Sequence, residues 1–122
     1  MLTEWGGDDC GGSDEQQAEC SFVQGLADKH LQSWSLWGMD SQAIANGSIT
    51  PQQAEVLSRS YAQAVAGSVV NMTFDKKTRV FELCFEMDNG IEEPSVIYIS
   101  SALFYKDAPV ISATPNVIVR VR

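Results

Sequence analysis

A chain of 122 residues is long enough for one modest domain or for parts of two. Its 44% hydrophobic content is that of a globular protein and excludes wholesale disorder. Sixteen acidic against eight basic residues give a net charge of -8, and no apolar run approaches the roughly twenty residues that span a bilayer. Nucleic-acid-binding, anionic-membrane-binding and membrane-spanning classes are therefore not expected.

Residues 1–4 have the pattern of the tail of a buried strand, and residues 6–13 (GGDDCGGS) that of a Gly- and Asp-rich loop. Ser13 followed three residues later by Gln16 is a capping box and starts a helix. Ala18, Phe22 and Leu26 predict its inward stripe. Residues 31–38 predict a second strand, with Leu31, Ser33, Ser35 and Trp37 on one face and Gln32, Trp34, Leu36 and Gly38 on the other. Strand, helix and strand with short connections predict a parallel βαβ unit. Thr50, Pro51 and Gln53 form a second helix start. Ala54, Leu57, Tyr61 and Val65 carry that helix to a stop at Gly67.

The remainder alternates with period two. In "RVFELCFEM", Phe81, Leu83 and Phe85 oppose Glu82 and Glu86. In "VIVRVR", Val117, Val119 and Val121 oppose Arg120 and Arg122. Asp75-Lys76-Lys77-Thr78 and Asp88-Asn89-Gly90 predict hairpin turns. Residues 69–122 thus predict a small antiparallel β-sandwich of about four to six short strands. Lys76, Lys77 and Arg79, with Arg120 and Arg122, fit a turn and a strand edge rather than a binding patch.

Several residues are candidates for chemistry. Glu4 ends a strand just ahead of a Gly-rich loop; on pattern alone it is a strand-end acid without a role. Asp8, Asp9, Asp14 and Glu15 lack calcium-loop spacing, so a solvated loop and no metal are expected. His30 has no Cys or Asp partner at metal-like spacing and is left unassigned. Cys10 and Cys20 flank the acidic loop as a candidate disulfide, with Cys84 left over. Asn46-Gly47-Ser48 and Asn71-Met72-Thr73 fit the N-glycosylation sequon. These sequons are mild support for a secretory route, although the N-terminus has no signal-peptide pattern.

Three stretches, "LTEWG", "ADKHLQSWSLW" and "LSRSYAQAVAG", resemble in this order the C-terminal end of glycoside hydrolase family 5 enzymes of the endoglycoceramidase type. The resemblance implies an α+β fragment: the end of a (β/α)8 TIM barrel over residues 1–66 (βαβα), then a small antiparallel β-sandwich over 67–122. By that likeness residues 1–4 are the seventh barrel strand and 13–28 its helix. Residues 31–38 are the eighth strand and 50–66 the closing helix. "EEPSVIYIS" is similar to the family's Pro-x-x-Ile-Tyr pattern, with Val96 standing where an acidic or polar residue is expected.

Retaining glycoside hydrolysis uses two carboxyl groups about 5–5.5 Å apart, one as nucleophile and one as acid/base. The resemblance makes Glu4 the nucleophile and Trp37 the platform for a sugar ring. Trp34 and Trp5 are left to packing, and Arg59 and Tyr61 to anchoring the junction. No Asn-Glu dipeptide occurs, so the family's acid/base is not in this sequence. A whole barrel takes about 250 residues, so the chain looks like the end of a larger product, inactive alone. The expected partner is a glycolipid or other β-glycoside substrate, with no cofactor, no nucleic acid and peripheral membrane-surface contact in the intact enzyme. The expected location is secreted or lysosomal. A steryl-glucosidase of the same barrel type and a non-catalytic carbohydrate- or lipid-binding sandwich are the alternatives.

Overall fold

The computed structural model describes residues 2–6, 8–37, 46–47 and 49–113. The chain opens with strand β1, Leu2–Trp5, and a 3-10 turn, Asp8–Gly11. Helix α1 follows at Asp14–Lys29 and strand β2 at Trp34–Leu36. β1 and β2 pair in parallel, with Leu2 opposite Trp34 and Trp5 opposite Leu36. This is the expected strand–helix–strand order, with the second strand shorter than residues 31–38. Leu31 lies outside it in a turn at φ 50.

The start of α1 follows from its cap. The Ser13 hydroxyl accepts from the Gln16 N–H, and the Gln16 side chain accepts from the Ser13 N–H at 2.7 Å. Asp14 and Glu15 in the first turn and Lys29 in the last complement the helix dipole. The inward stripe is not the expected one. Ala18, Phe22 and Leu26 face solvent, Phe22 at 69% exposure, while Cys20, Gln24, Ala27 and Asp28 are buried. Two things turn the helix this way. Cys20 is bonded to Cys10, with Cα atoms 5.8 Å apart. Gln24 and Asp28 are held by cationic partners from distant parts of the chain.

Helix α2, Pro51–Leu57, also opens on its predicted capping box, Thr50 with Gln53. It ends at Leu57, short of the expected Val65–Gly67 region, because Ser58 leaves the helix in an extended conformation. Tyr61–Ala64 is instead strand β3, antiparallel to strand β6, Val96–Tyr98. Its cross-strand hydrogen bonds replace a second half of the helix. Gly67 opens strand β4, Gly67–Asp75, rather than stopping a helix. There φ is 153, and a Cβ would overlap the carbonyl of Glu86, so only glycine fits.

β4 and strand β5, Val80–Met87, form an antiparallel hairpin. Its turn is the predicted one: the Asp75 carboxylate accepts from the N–H groups of Lys77 at 2.8 Å and Thr78 at 3.3 Å. Phe81, Leu83 and Phe85 are half-buried and Glu82 and Glu86 exposed, as the alternation requires. Asp88–Gly90 does turn, with Gly90 N–H donating to Asp88. It is not a hairpin turn, however, since the next strand, β6, pairs with β3 and not with β5. Among the described residues the four later strands therefore form two antiparallel pairs. The expected strand at 117–122 and Gly38 lie outside the described residues.

Trp5, Cys10, Cys20 and Val56 make the buried core, with Val23, Trp34, Leu36 and Leu57 packed against it. The Trp5 and Trp34 rings meet edge to face at 5.3 Å. On the sheet side, buried Phe104 packs edge-on against Phe74 at 5.2 Å.

Candidate functional site

The parallel pairing of β1 and β2 sets their C-terminal ends side by side. The Trp37 N–H donates to the Trp5 carbonyl at 2.9 Å, extending the pairing past β2. Glu4 and Trp37 therefore stand at the same edge of the pair. Both are exposed, Trp37 at 64%. Trp5 and Trp34 are committed to the core below, as expected from the alternation of the strand.

Two backbone features mark this edge. Glu4 sits at φ 58, in the left-handed region that a glutamate rarely adopts. Such strain is tolerated only where neighbours enforce it, and it collects at functional positions. Gly6 follows at φ 85, where a Cβ would collide with the Leu36 side chain. A glycine is needed here for the chain to leave the strand over β2. The Cys10–Cys20 bridge then ties the outgoing loop to α1. Glu4 is thus the last polar group before a braced turn.

A cavity of about 650 Å³ lies elsewhere. It opens by Ser33 and Trp34 at the start of β2, the opposite end of that strand from Trp37. Its walls reach Leu57 at the end of α2, Arg59 just after it, Tyr61 on β3, Met72 on β4 and Tyr98 on β6.

Beside this cavity is a polar cluster that sequence pattern did not show. Arg59 forms a buried ion pair with Asp28 and donates to Gln24 Oε1 at 3.3 Å. Its guanidinium lies 6.0 Å from the Phe74 ring centre. Lys76, from the β4–β5 turn, reaches in to donate to the same Gln24 oxygen at 2.8 Å and to the Val56 carbonyl. Burial raises the Asp28 pKa, opposed by Arg59 and Lys76. Burial lowers that of Arg59, opposed by Asp28. Lys76 is pushed down to about 8 by burial and by the Arg59 charge, against Glu55 and Asp28. These groups pin α1 and the end of α2 to the hairpin. Arg59 therefore ties α1 to the chain after α2, while Tyr61 lies on the cavity wall.

Asn46 is exposed in a turn, and Asn71 is exposed on β4. Cys84 is an exposed free thiol on β5. His30 caps the C-terminus of α1 in solvent.

A parallel strand pair with its helix, followed by antiparallel strands, makes a small α+β arrangement. The family model of the glycoside hydrolase family 5 C-terminal domain matches residues 59–119, half of the chain, and the protein belongs to that family. An endoglycoceramidase from Hydra vulgaris is similar to it, 29% identical over 102 residues. That match covers 75% of this chain and 20% of the relative, so the chain spans about a fifth of the relative's length. No solved structure matches.

Proposed function

We propose that this chain is the C-terminal portion of a retaining β-glycosidase that cleaves glycolipid at the bond between glycan and ceramide. The observation that carries the reading is the shared edge of β1 and β2, where Glu4, held at positive φ, stands with the exposed Trp37. The similarity to an endoglycoceramidase supports the substrate class. In this reading β1, α1, β2 and α2 close a (β/α)8 barrel, whose active groups project from the C-terminal strand ends. Trp37 packs against the C–H face of a sugar ring. Glu4 attacks the anomeric carbon, forming a covalent glycosyl intermediate as the bond to the aglycone oxygen breaks. An acid/base from another strand protonates that oxygen and then activates the water that frees Glu4.

The disulfide and the exposed Asn46 and Asn71 support a secretory or lysosomal setting, where oxidation and N-glycosylation both occur. Contact with a membrane surface in the intact enzyme follows from a lipid-borne substrate.

The test is hydrolysis of a glycosphingolipid and of an aryl β-glucoside. The purified 122-residue chain should be inactive, since one carboxylate cannot serve both roles. The longer product should be active, and Glu4→Ala in it should reduce turnover by about 10³-fold or more. Azide should restore cleavage in that variant as a glycosyl azide of inverted configuration. Turnover by the 122-residue chain, or a Glu4→Ala enzyme of normal activity, would sink the proposal.

A further inference from the structure

The cavity at the start of β2 has a construction of its own. Tyr61 and Tyr98 are cross-strand partners on β3 and β6, with ring centres 5.2 Å apart and planes tilted by 32°. Both rings are partly open to solvent, at 38% and 44%, and both residues line the cavity, so together they form an aromatic shelf. Trp34, Leu57 and Met72 supply apolar wall behind it. Ser33, Ser58, Tyr61 and Tyr98 are all among the lining residues, and the hydroxyl of none of them is engaged by another described residue. Small-molecule sites have volumes of roughly 300–1,000 Å³, sit at junctions between structural units, and combine apolar walls with a few polar groups. The 650 Å³ here falls in that range, at the junction of the βαβ unit with the sheets.

The lining selects among ligands. Among the described residues of the wall Arg59 is the one cation, and it is already bound to Asp28 and Gln24. The protein's net charge of -8 disfavours anions further. An acyl chain would strip water from four hydroxyls and give them no partner, at a cost for each one. A neutral sugar avoids both problems. Its C–H face packs on a tyrosine ring while its hydroxyls exchange hydrogen bonds with the wall.

We propose that this cavity is a non-catalytic binding site for a neutral saccharide, stacked on the Tyr61–Tyr98 shelf and distinct from the Glu4–Trp37 edge. It lies at the other end of β2, and nothing in its construction depends on the role given to Glu4. In an enzyme acting on surface-borne glycans, such a second grip holds the protein near its substrate between turnovers.

The test is a titration of the full 122-residue chain with lactose, followed by amide and side-chain chemical shifts. Saturable shifts at Trp34, Tyr61, Ala62 and Tyr98 are expected. Tyr98→Ala should raise Kd about tenfold or more. Tyr61→Phe and Tyr98→Phe, which keep the rings and delete only the hydroxyls, should each weaken binding by a smaller factor without disturbing the fold. Phe22→Ser, on the far face of α1, should bind as the parent does. No saturable binding would overturn the proposal, as would equal affinity in the parent and all three tyrosine variants. Shifts confined to Glu4, Gly6 and Trp37 would refute this site while leaving the strand-edge reading intact. Binding of octanoate but not of lactose would replace the saccharide with a lipid and overturn it too.

Discussion

Removing one charge from the Asp28–Arg59 pair should cost more on the acidic side than on the basic side. Both side chains are 7% exposed, so neither is rescued by water. Breaking a buried pair by deleting one partner costs about 3–5 kcal/mol, because the other charge is left uncompensated. The neighbours decide where in that range each variant falls. In Asp28→Asn, Arg59 and Lys76 remain together around Gln24 Oε1, two cations facing no close carboxylate but Glu55. That variant belongs at the top of the range. In Arg59→Met, Asp28 still faces Lys76, and its carboxyl, already raised by burial, has the further option of taking up a proton. That variant should fall at the bottom of the range, about 3 kcal/mol. The double variant should be less destabilised than the sum, leaving a coupling of about 1–3 kcal/mol. Urea unfolding of the four proteins, followed by circular dichroism, measures the cycle. A larger loss in Arg59→Met than in Asp28→Asn would refute this account of the charges, and so would zero coupling.

Lys76 gives the fold a pH dependence on the alkaline side. Its pKa is about 8 when folded and 10.5 as an ordinary lysine, so between these values the unfolded chain binds more protons. Stability should therefore rise as pH goes from about 8 to about 10.5, by about 1–2 kcal/mol after allowing for solvent screening. Lys76→Met should abolish that rise, and parallel pH profiles in the two proteins would contradict it. Reducing the Cys10–Cys20 bridge, which spans a sequence separation of 10, should cost about 2–3 kcal/mol. Hydrogen exchange should show the loss concentrated in Asp8–Gly11 and the first two turns of α1; an unchanged pattern would mean that the bridge braces nothing.

What sequence could reveal was set by the range of the interactions concerned. Both capping boxes were legible because Ser13 with Gln16 and Thr50 with Gln53 are three residues apart. So was the Asp75–Thr78 turn, closed by the Asp75 carboxylate itself. The buried face of α1 was not, because Gln24 and Asp28 look like surface residues until Arg59 and Lys76 arrive from 31 to 52 positions away. The end of α2 failed for the same reason. Tyr61–Ala64 carries a helical spacing, yet its backbone is claimed by Val96–Tyr98. At the strand edge, Glu4 and Trp37 were singled out through family likeness, and the parallel pairing sets the two positions at one end of the strand pair. The positive φ of Glu4 was not readable, since it depends on how the chain crosses Leu36. The Tyr61–Tyr98 shelf exists only through a strand register that joins residues 37 positions apart.

The seat around Gln24 has donors to spare. Its oxygen serves both Arg59 and Lys76, while the buried Nε of Arg59 and its own buried Nε2 have no partner among the described residues. Slow hydrolytic deamidation, or the substitution Gln24→Glu, exchanges that nitrogen for an anionic oxygen of nearly the same size. It would add a carboxylate beside Arg59 and Lys76 and remove one of the two orphaned donors. A chemical change usually counted as ageing damage would, at this one position, tighten the hold of the hairpin on the helices.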